Sequence, residues 1–319
     1  LHRQAQTDAK NATVQMRHLY DFKCVDAIAK AGSIRKAADT LAITPAALNR
    51  RLLALEAELG TQLFERLPRG VRLSTAGELM IQHIRDQVAD FERLQSQIAD
   101  LSGIRRGHVN IACSQALLPY FLPREIERYR SEHPGVTFTV SVRDREAAEQ
   151  ALLDYSADVA LIFEPVRLAD CQTMVIVEQP IRAVMSPDHP LASHRTLKLE
   201  DMLAFPLAMP MRPYGVRSLL DAAAARKNLR LAPAVEAESF EFLRHVVLHG
   251  PAIAFQIAVG LPAESGRRQT IVTRPIHPRD VPAGRLHLAQ LKGRSLPVAA
   301  ARFAMQLQAA LSSNFTLLG

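Results

Sequence analysis

Apolar residues at Leu19, Phe22, Val25, Ile28 and Ala29 return every three or four positions and cease at Gly32, which predicts a first helix over 19–31. Ser33 stands where an N-cap is needed, and Ala37, Ala38 and Leu41 turn one face of a short second helix, 34–41, inward. Thr44 can accept from the orphan amides of a third helix, and Pro45 suits its first position, where an N–H would have no partner. Leu48, Leu52, Leu55 and Leu59 give that helix an apolar stripe as far as Gly60. Leu63 and Phe64 then lead into a short hairpin turning at Pro68 to Gly70 and leaving through Val71 and Leu73.

From Ala76 to Ser102 there is no proline, and the one glycine, Gly77, falls in the first turn, so a single long helix is expected. Its apolar positions Ile81, Ile84, Val88, Phe91, Leu94, Ile98 and Leu101 lie three or four apart, a seam that asks for a partner helix, either within the chain or on a second copy. Gly103 and Gly107 around Arg105 and Arg106 read as a hinge. Short apolar strands at 108–113, 136–142 and 159–163 then alternate with helices ending near Tyr129 and spanning 146–153, the signature of βαβ units around a largely parallel sheet. After Glu164 the pattern changes to longer strands within 174–185, helices at 216–227 and 240–249, and a strand at 252–256. Two α/β subdomains joined by crossovers near 163–166 and 271–276 are expected, with ligands bound beyond the carboxyl ends of the strands.

Charge sharpens the picture at the N-terminal end. The chain of 319 residues carries a formal +7, and residues 17–75 hold ten Lys or Arg against six Asp or Glu. Asn49, Arg50 and Arg51 lie opposite the apolar stripe of the third helix, while Arg66, Arg69 and Arg72 straddle the hairpin. Guanidinium can pair bidentately with guanine and amide with adenine, and scattered cations hold phosphates, so a helix-turn-helix with a basic wing is one reading. A three-helix bundle with a solvated basic face is the other.

The stretch from Gly32 to Gly77 resembles the DNA-binding region of LysR-type transcriptional regulators. The resemblance is carried by Gly32-Ser33, Ala37-Ala38, Leu41, Ala47-Leu48-Asn49-Arg50, Leu55-Glu56, Leu59-Gly60, Leu63-Phe64-Glu65-Arg66 and Leu73-Ser74-Thr75-Ala76-Gly77. Two positions depart from it: Asn49 replaces the common Ser, and Pro45 stands where a base-contacting Gln is frequent. The resemblance implies double-stranded DNA at an operator or promoter as partner, with Ser33, Arg35, Lys36, Thr44, Pro45, Ala46, Asn49, Arg50, Arg51, Arg66, Arg69, Arg72 and Thr75 as DNA-facing residues. It also implies self-association through the long helix, as a homodimer that can go on to a homotetramer, with RNA polymerase a further partner.

A looser resemblance continues through Leu122-Pro123, Ala157 to Leu161, His189-Pro190-Leu191 and Gly250 to Ala254 to the family's effector domain, which has a periplasmic-binding-protein-like fold with a ligand cleft between its subdomains. Carried over by position, the cleft would be lined by Ser114, Gln115, Arg143, Arg145, Phe163, Glu164, Met209, Arg212, Ser239 and Phe240. Ser114 serves equally well as a plain N-cap. If Arg143 or Arg145 faces the cleft, a small acidic effector such as a carboxylate is implied, although either could be solvated surface. The full expectation is an α/β chain with an N-terminal all-α winged helix-turn-helix. A lead-in at 1–16 precedes the DNA-binding domain at 17–75 and a linker helix at 76–103. An effector domain at 108–319 follows, with subdomain I at 108–164 and 272–319 and subdomain II at 165–271. A constitutive repressor without effector is the alternative.

Enzymatic function finds no footing, since GxSxG, HExxH, GxxxxGK and GxGxxG are all absent. His245 and His249 have metal-ligand spacing but no third ligand nearby in sequence, and no metal or cofactor is expected. Cys24, Cys113 and Cys171 form no CxxC pair, which suits a reducing cytoplasm, with a Cys113–Cys171 redox switch less expected than buried apolar thiols. No apolar run is long enough to span a bilayer, and the polar N-terminus shows no signal-peptide core.

Overall fold

The computed structural model describes residues 18–101, 106–212, 214–262 and 270–315, which form two compact units that part near Ile98. The expected lead-in at 1–16 and Gly103 of the expected hinge lie outside the described residues.

The first unit is helical with one hairpin. Helix α1 spans 18–31, α2 Ile34–Thr40, α3 Pro45–Leu59, and strands β1 (Phe64–Leu67) and β2 (Gly70–Leu73) pair antiparallel before α4, Thr75–Leu101. The caps are those the sequence announces: the Ser33 hydroxyl accepts from Lys36 N at 3.4 Å and Thr44 Oγ1 from Ala47 N at 3.2 Å, while Gly60 closes α3 at φ 67°. Cys24, Val25 and Ile28 of α1 meet Ala37, Ala38, Leu48, Leu52 and Leu55 in one core, which Leu63, Phe64, Ile81 and Ile84 complete.

The second unit contains two five-stranded sheets. In the first, β4 (Gly135–Val142), β3 (Arg106–Cys113), β5 (Val159–Phe163), β12 (Gly284–Leu291) and β6 (Cys171–Gln179) lie side by side in that order. In the second the order is β11 (Val272–Pro275), β7 (Ile181–Met185), β10 (Ile253–Ile257), β8 (Leu207–Pro210) and β9 (Pro233–Ala237). Helices α5 (Phe121–Glu132), α6 (Arg145–Leu153) and α10 (Val298–Asn314) accompany the first sheet, and α7 (Leu199–Met202), α8 (Gly215–Arg226) and α9 (Phe240–Val246) the second.

The sheets are mixed rather than largely parallel. In the first, β3 runs parallel to β4 and β5, but β12 is antiparallel to both β5 and β6. The first crossover also differs from expectation. Because β6 pairs with β12 along its length, Cys171–Gln179 belongs to the first sheet and the chain crosses at Pro180, not at 163–166. The return follows Pro275, at the end of the expected 271–276, since β11 still pairs with β7. Subdomain II thus begins with β7 rather than at residue 165.

A buried ion pair braces the first sheet. Arg294 Nη2 donates to Asp158 Oδ1 at 2.7 Å, and Asp158 Oδ2 accepts from Asn110 N at 2.8 Å. Both charges are almost wholly removed from water, so each depends on the other.

Candidate nucleic-acid interface and effector cleft

The first unit presents α3 as an exposed helix start flanked by a wing. Leu48, Leu52 and Leu55 face the core, which places Ala46, Arg50 and Leu53 on the opposite side, all exposed. Asn49 is on the flank toward β1, where its Oδ1 accepts from Arg66 Nη2 at 3.4 Å. Arg51 sits on the other flank, held at 2.8 Å by Asp21 Oδ1 and stacked 4.7 Å from the Tyr20 ring centroid. That hydrogen bond to Asp21 raises its pKa and ties the guanidinium to α1, away from the side that carries Arg50.

The wing is fastened by backbone contacts. Val71 N donates to Gly32 O at 2.9 Å, and Glu56 Oε1 accepts from Leu63 N at 2.7 Å and Phe64 N at 3.2 Å. A Cβ at Gly70, where φ is 110°, would lie 2.3 Å from Gly32 O, and one at Gly77 would lie 2.0 Å from Leu63 O. Arg72 and Glu65 face each other in the hairpin register and pair at 2.5 Å, which raises the Arg72 pKa and offsets its charge. Arg35, Lys36, Arg50 and Arg69 are exposed and form no ion pair among the described residues. Ser33 and Thr44 are engaged as caps, Pro45 occupies the first turn of α3, and exposed Thr75 opens α4 after the Ser74 cap, whose Oγ accepts from Gly77 N at 3.0 Å.

In the second unit, the structure brings together some of the residues chosen for the cleft and not others. Ser114, Arg143, Arg145, Phe163 and Phe240 converge with Tyr214 and Gly215 around a void of only about 10 Å³. Arg145 closes it: Nη1 donates to Glu164 O at 2.9 Å and Nη2 to Ser218 Oγ on α8 at 3.1 Å, which joins the two subdomains. Gln115 makes a second bridge, its Oε1 accepting from Phe240 N at 3.1 Å. Glu164 turns away at φ 53°, its Oε1 accepting from Arg285 N at 2.7 Å. Ser114 and Ser239 act as caps, accepting from Ala116 N and Phe242 N. Met209 lies fully buried within β8, and Arg212 is exposed with a loose 3.9 Å contact to Asp221, so neither lines the cleft.

Tyr214 and Ser218 escape a reading of the sequence because nothing local marks them; only α8 packing across the cleft gives them a role. Burial raises the Tyr214 pKa, and burial lifts the thiols of Cys113 and Cys171 to about 12 and about 11, so neither cysteine is a ready nucleophile. Helix α9 stops at Val246, which removes His249 from the helical register with His245.

Residues 19–78 match the bacterial regulatory helix-turn-helix protein model of the lysR family, and residues 102–312 match the LysR substrate binding domain. The chain belongs to the LysR family of transcriptional regulators. The HTH-type transcriptional activator CmpR of Synechocystis is 26% identical over 245 residues, covering 77% of this chain and 79% of that protein. The RuBisCO operon transcriptional regulator of Allochromatium vinosum is 28% identical over 208 residues, covering 65% and 68%. A full-length OxyR variant from Pseudomonas aeruginosa shares the fold at TM-score 0.68 and 20% identity, covering 91% of this regulator and 94% of that chain. Full-length CbnR complexed with its target DNA gives TM-score 0.54 at 20% identity, covering 92% and 99%. No helix among the described residues is long and apolar enough to cross a membrane.

Proposed function

We propose that this regulator binds an operator as a homo-oligomer and that a small acidic effector in the subdomain cleft modulates that binding. The observation that carries the DNA-reading part is Arg50: it projects directly away from the α3 core, unpaired among the described residues, beside a wing pinned to the helix-turn-helix by backbone hydrogen bonds. Arg50 and Asn49 read base edges, while Arg35, Lys36, Arg66 and Arg69 hold phosphates. Arg51 and Arg72, with their charges balanced by Asp21 and Glu65, contribute less.

Replacing Arg50 with Ala is expected to cost about 1–3 kcal/mol on an operator selected from a random library and much less on unrelated DNA. Arg69→Ala should weaken both alike and lower the slope of log K against log salt by about 1. Equal losses for the two variants on every sequence would take Arg50 out of base readout.

For the effector part, support comes from Arg145, whose guanidinium spans the cleft walls. A carboxylate would compete with Ser218 for its Nη2 hydrogen and so act on the bridge that holds the subdomains together. A screen of small carboxylates by thermal shift, repeated on Arg145→Met, tests this: a stabilising acid should lose its effect in the variant.

A further inference from the structure

A second cavity, of about 460 Å³, lies beside the collapsed cleft and shares Phe240 with it. That volume falls in the range of small-molecule sites, whereas the void at the cleft is about 10 Å³. Its walls are mainly apolar, from Leu118, Pro119, Phe240, Leu243, Phe255 and Leu261. A few polar groups interrupt them, Gln115, Tyr120, Glu241, Arg244 and Gln256, and most of their acceptor atoms are already engaged within the protein.

Gln256 lines the cavity and is only 8% exposed. Its Oε1 accepts from Ile257 N at 3.0 Å, which fixes the orientation of the amide, and its Nε2 meets no acceptor among the described residues. Gly260 makes room for this amide: a Cβ there would lie 3.0 Å from Gln256 Nε2 and 2.6 Å from Ala116 O. Arg244 supplies the next donor. Glu241 takes its Nε hydrogen at 3.0 Å and a hydrogen of Nη2, leaving Nη1 directed to the Tyr120 hydroxyl at 3.5 Å. The guanidinium charge is therefore already balanced, and what the cavity lacks is an acceptor rather than an anion.

We propose that this cavity binds an uncharged, mainly apolar small molecule carrying a carbonyl-type oxygen, which accepts from Gln256 Nε2 and Arg244 Nη1. An unbalanced anion would face Glu241 and an apolar wall, so charge selects against it. Because Phe240 forms part of this wall while its N–H is held by Gln115, the occupant acts on the same intersubdomain contact as the cleft next door. This site depends on neither the DNA-reading assignment nor the acidic effector.

The test uses the full chain with two probes of one shape, 2-acetonaphthone and 2-naphthoate, followed by calorimetry and thermal shift. The ketone should bind saturably at one site and raise the melting temperature. Leu118→Trp and Leu261→Phe, each at a half-buried position of the wall, should weaken it about tenfold or more once circular dichroism shows them folded. In Arg145→Met, ketone binding should remain saturable at one site, and any naphthoate binding at the cleft should be lost instead. No saturable ketone binding, ketone binding retained in both wall variants, or naphthoate bound as tightly and lost with Leu118→Trp would each overturn the proposal.

Discussion

Gly70 shows how one residue without a side chain holds the wing in place. Its left-handed φ and the 2.3 Å that any Cβ would leave to Gly32 O permit no other residue without moving the hairpin off the α1–α2 turn. Gly70→Ala is expected to destabilise the first unit by about 2–3 kcal/mol in denaturant melts, with wing-dependent DNA affinity falling alongside. His287 makes a different residue-scale statement. Burial in β12 is the largest cause that lowers its pKa, and burial also lowers that of His189. Below about pH 6.5 the unfolded chain takes up protons that the folded chain refuses, so stability should fall with acidification and level off above that pH. Melting temperatures from pH 5 to 8 measure this, and His287→Gln should flatten the slope.

Among elements, α4 changes character along its length. Ile81 and Ile84 are buried in the helix-turn-helix core, whereas Leu94 and Ile98 further along are 49% and 55% exposed. An apolar seam left in water on a long helix is what self-association would cover. Leu94→Asp with Ile98→Asp should shift the regulator toward monomer in light-scattering chromatography while its circular dichroism is unchanged, and operator affinity should drop as paired half-sites lose their linkage. The elements themselves were largely readable in advance: α3 and β5 have the predicted bounds, and α2, α8 and β10 shift by about a residue. Caps, glycine stops and hydrophobic period are local, and local chemistry sets where a helix begins and ends. The run through 174–185 misled because β6 and β7 abut at Pro180 yet hydrogen-bond to different sheets. Which sheet a strand joins depends on partners far along the chain, here β12 and β10, and no window of sequence contains them.

At the scale of the whole molecule, the cleft is closed by Arg145 and by Gln115, and Gly215 lets α8 come close. A Cβ at Gly215 would sit 2.5 Å from Phe163 O, so Gly215→Ala should pry the subdomains apart and raise the affinity of any acid that must displace Ser218. If effector and operator are coupled through that closure, operator DNA must change effector affinity by the factor by which effector changes operator affinity. Calorimetry with and without DNA checks the equality, and an effector affinity indifferent to DNA would disprove the coupling.

The sequence by itself determined the helix-turn-helix and wing, the long linker and the α/β character of the remainder, because period, caps and turn residues act over a few neighbouring positions. Its two departures, Pro45 and Asn49, were legible as well, since the motif around them is continuous. The tertiary structure alone decided which basic residues stay unbalanced: Arg51 and Arg72 look like Arg50 and Arg69 until Asp21 and Glu65 fold against them. It also decided that the expected cleft is shut while a roomier cavity stands beside it, since empty space is a property of how distant elements pack and of no residue alone.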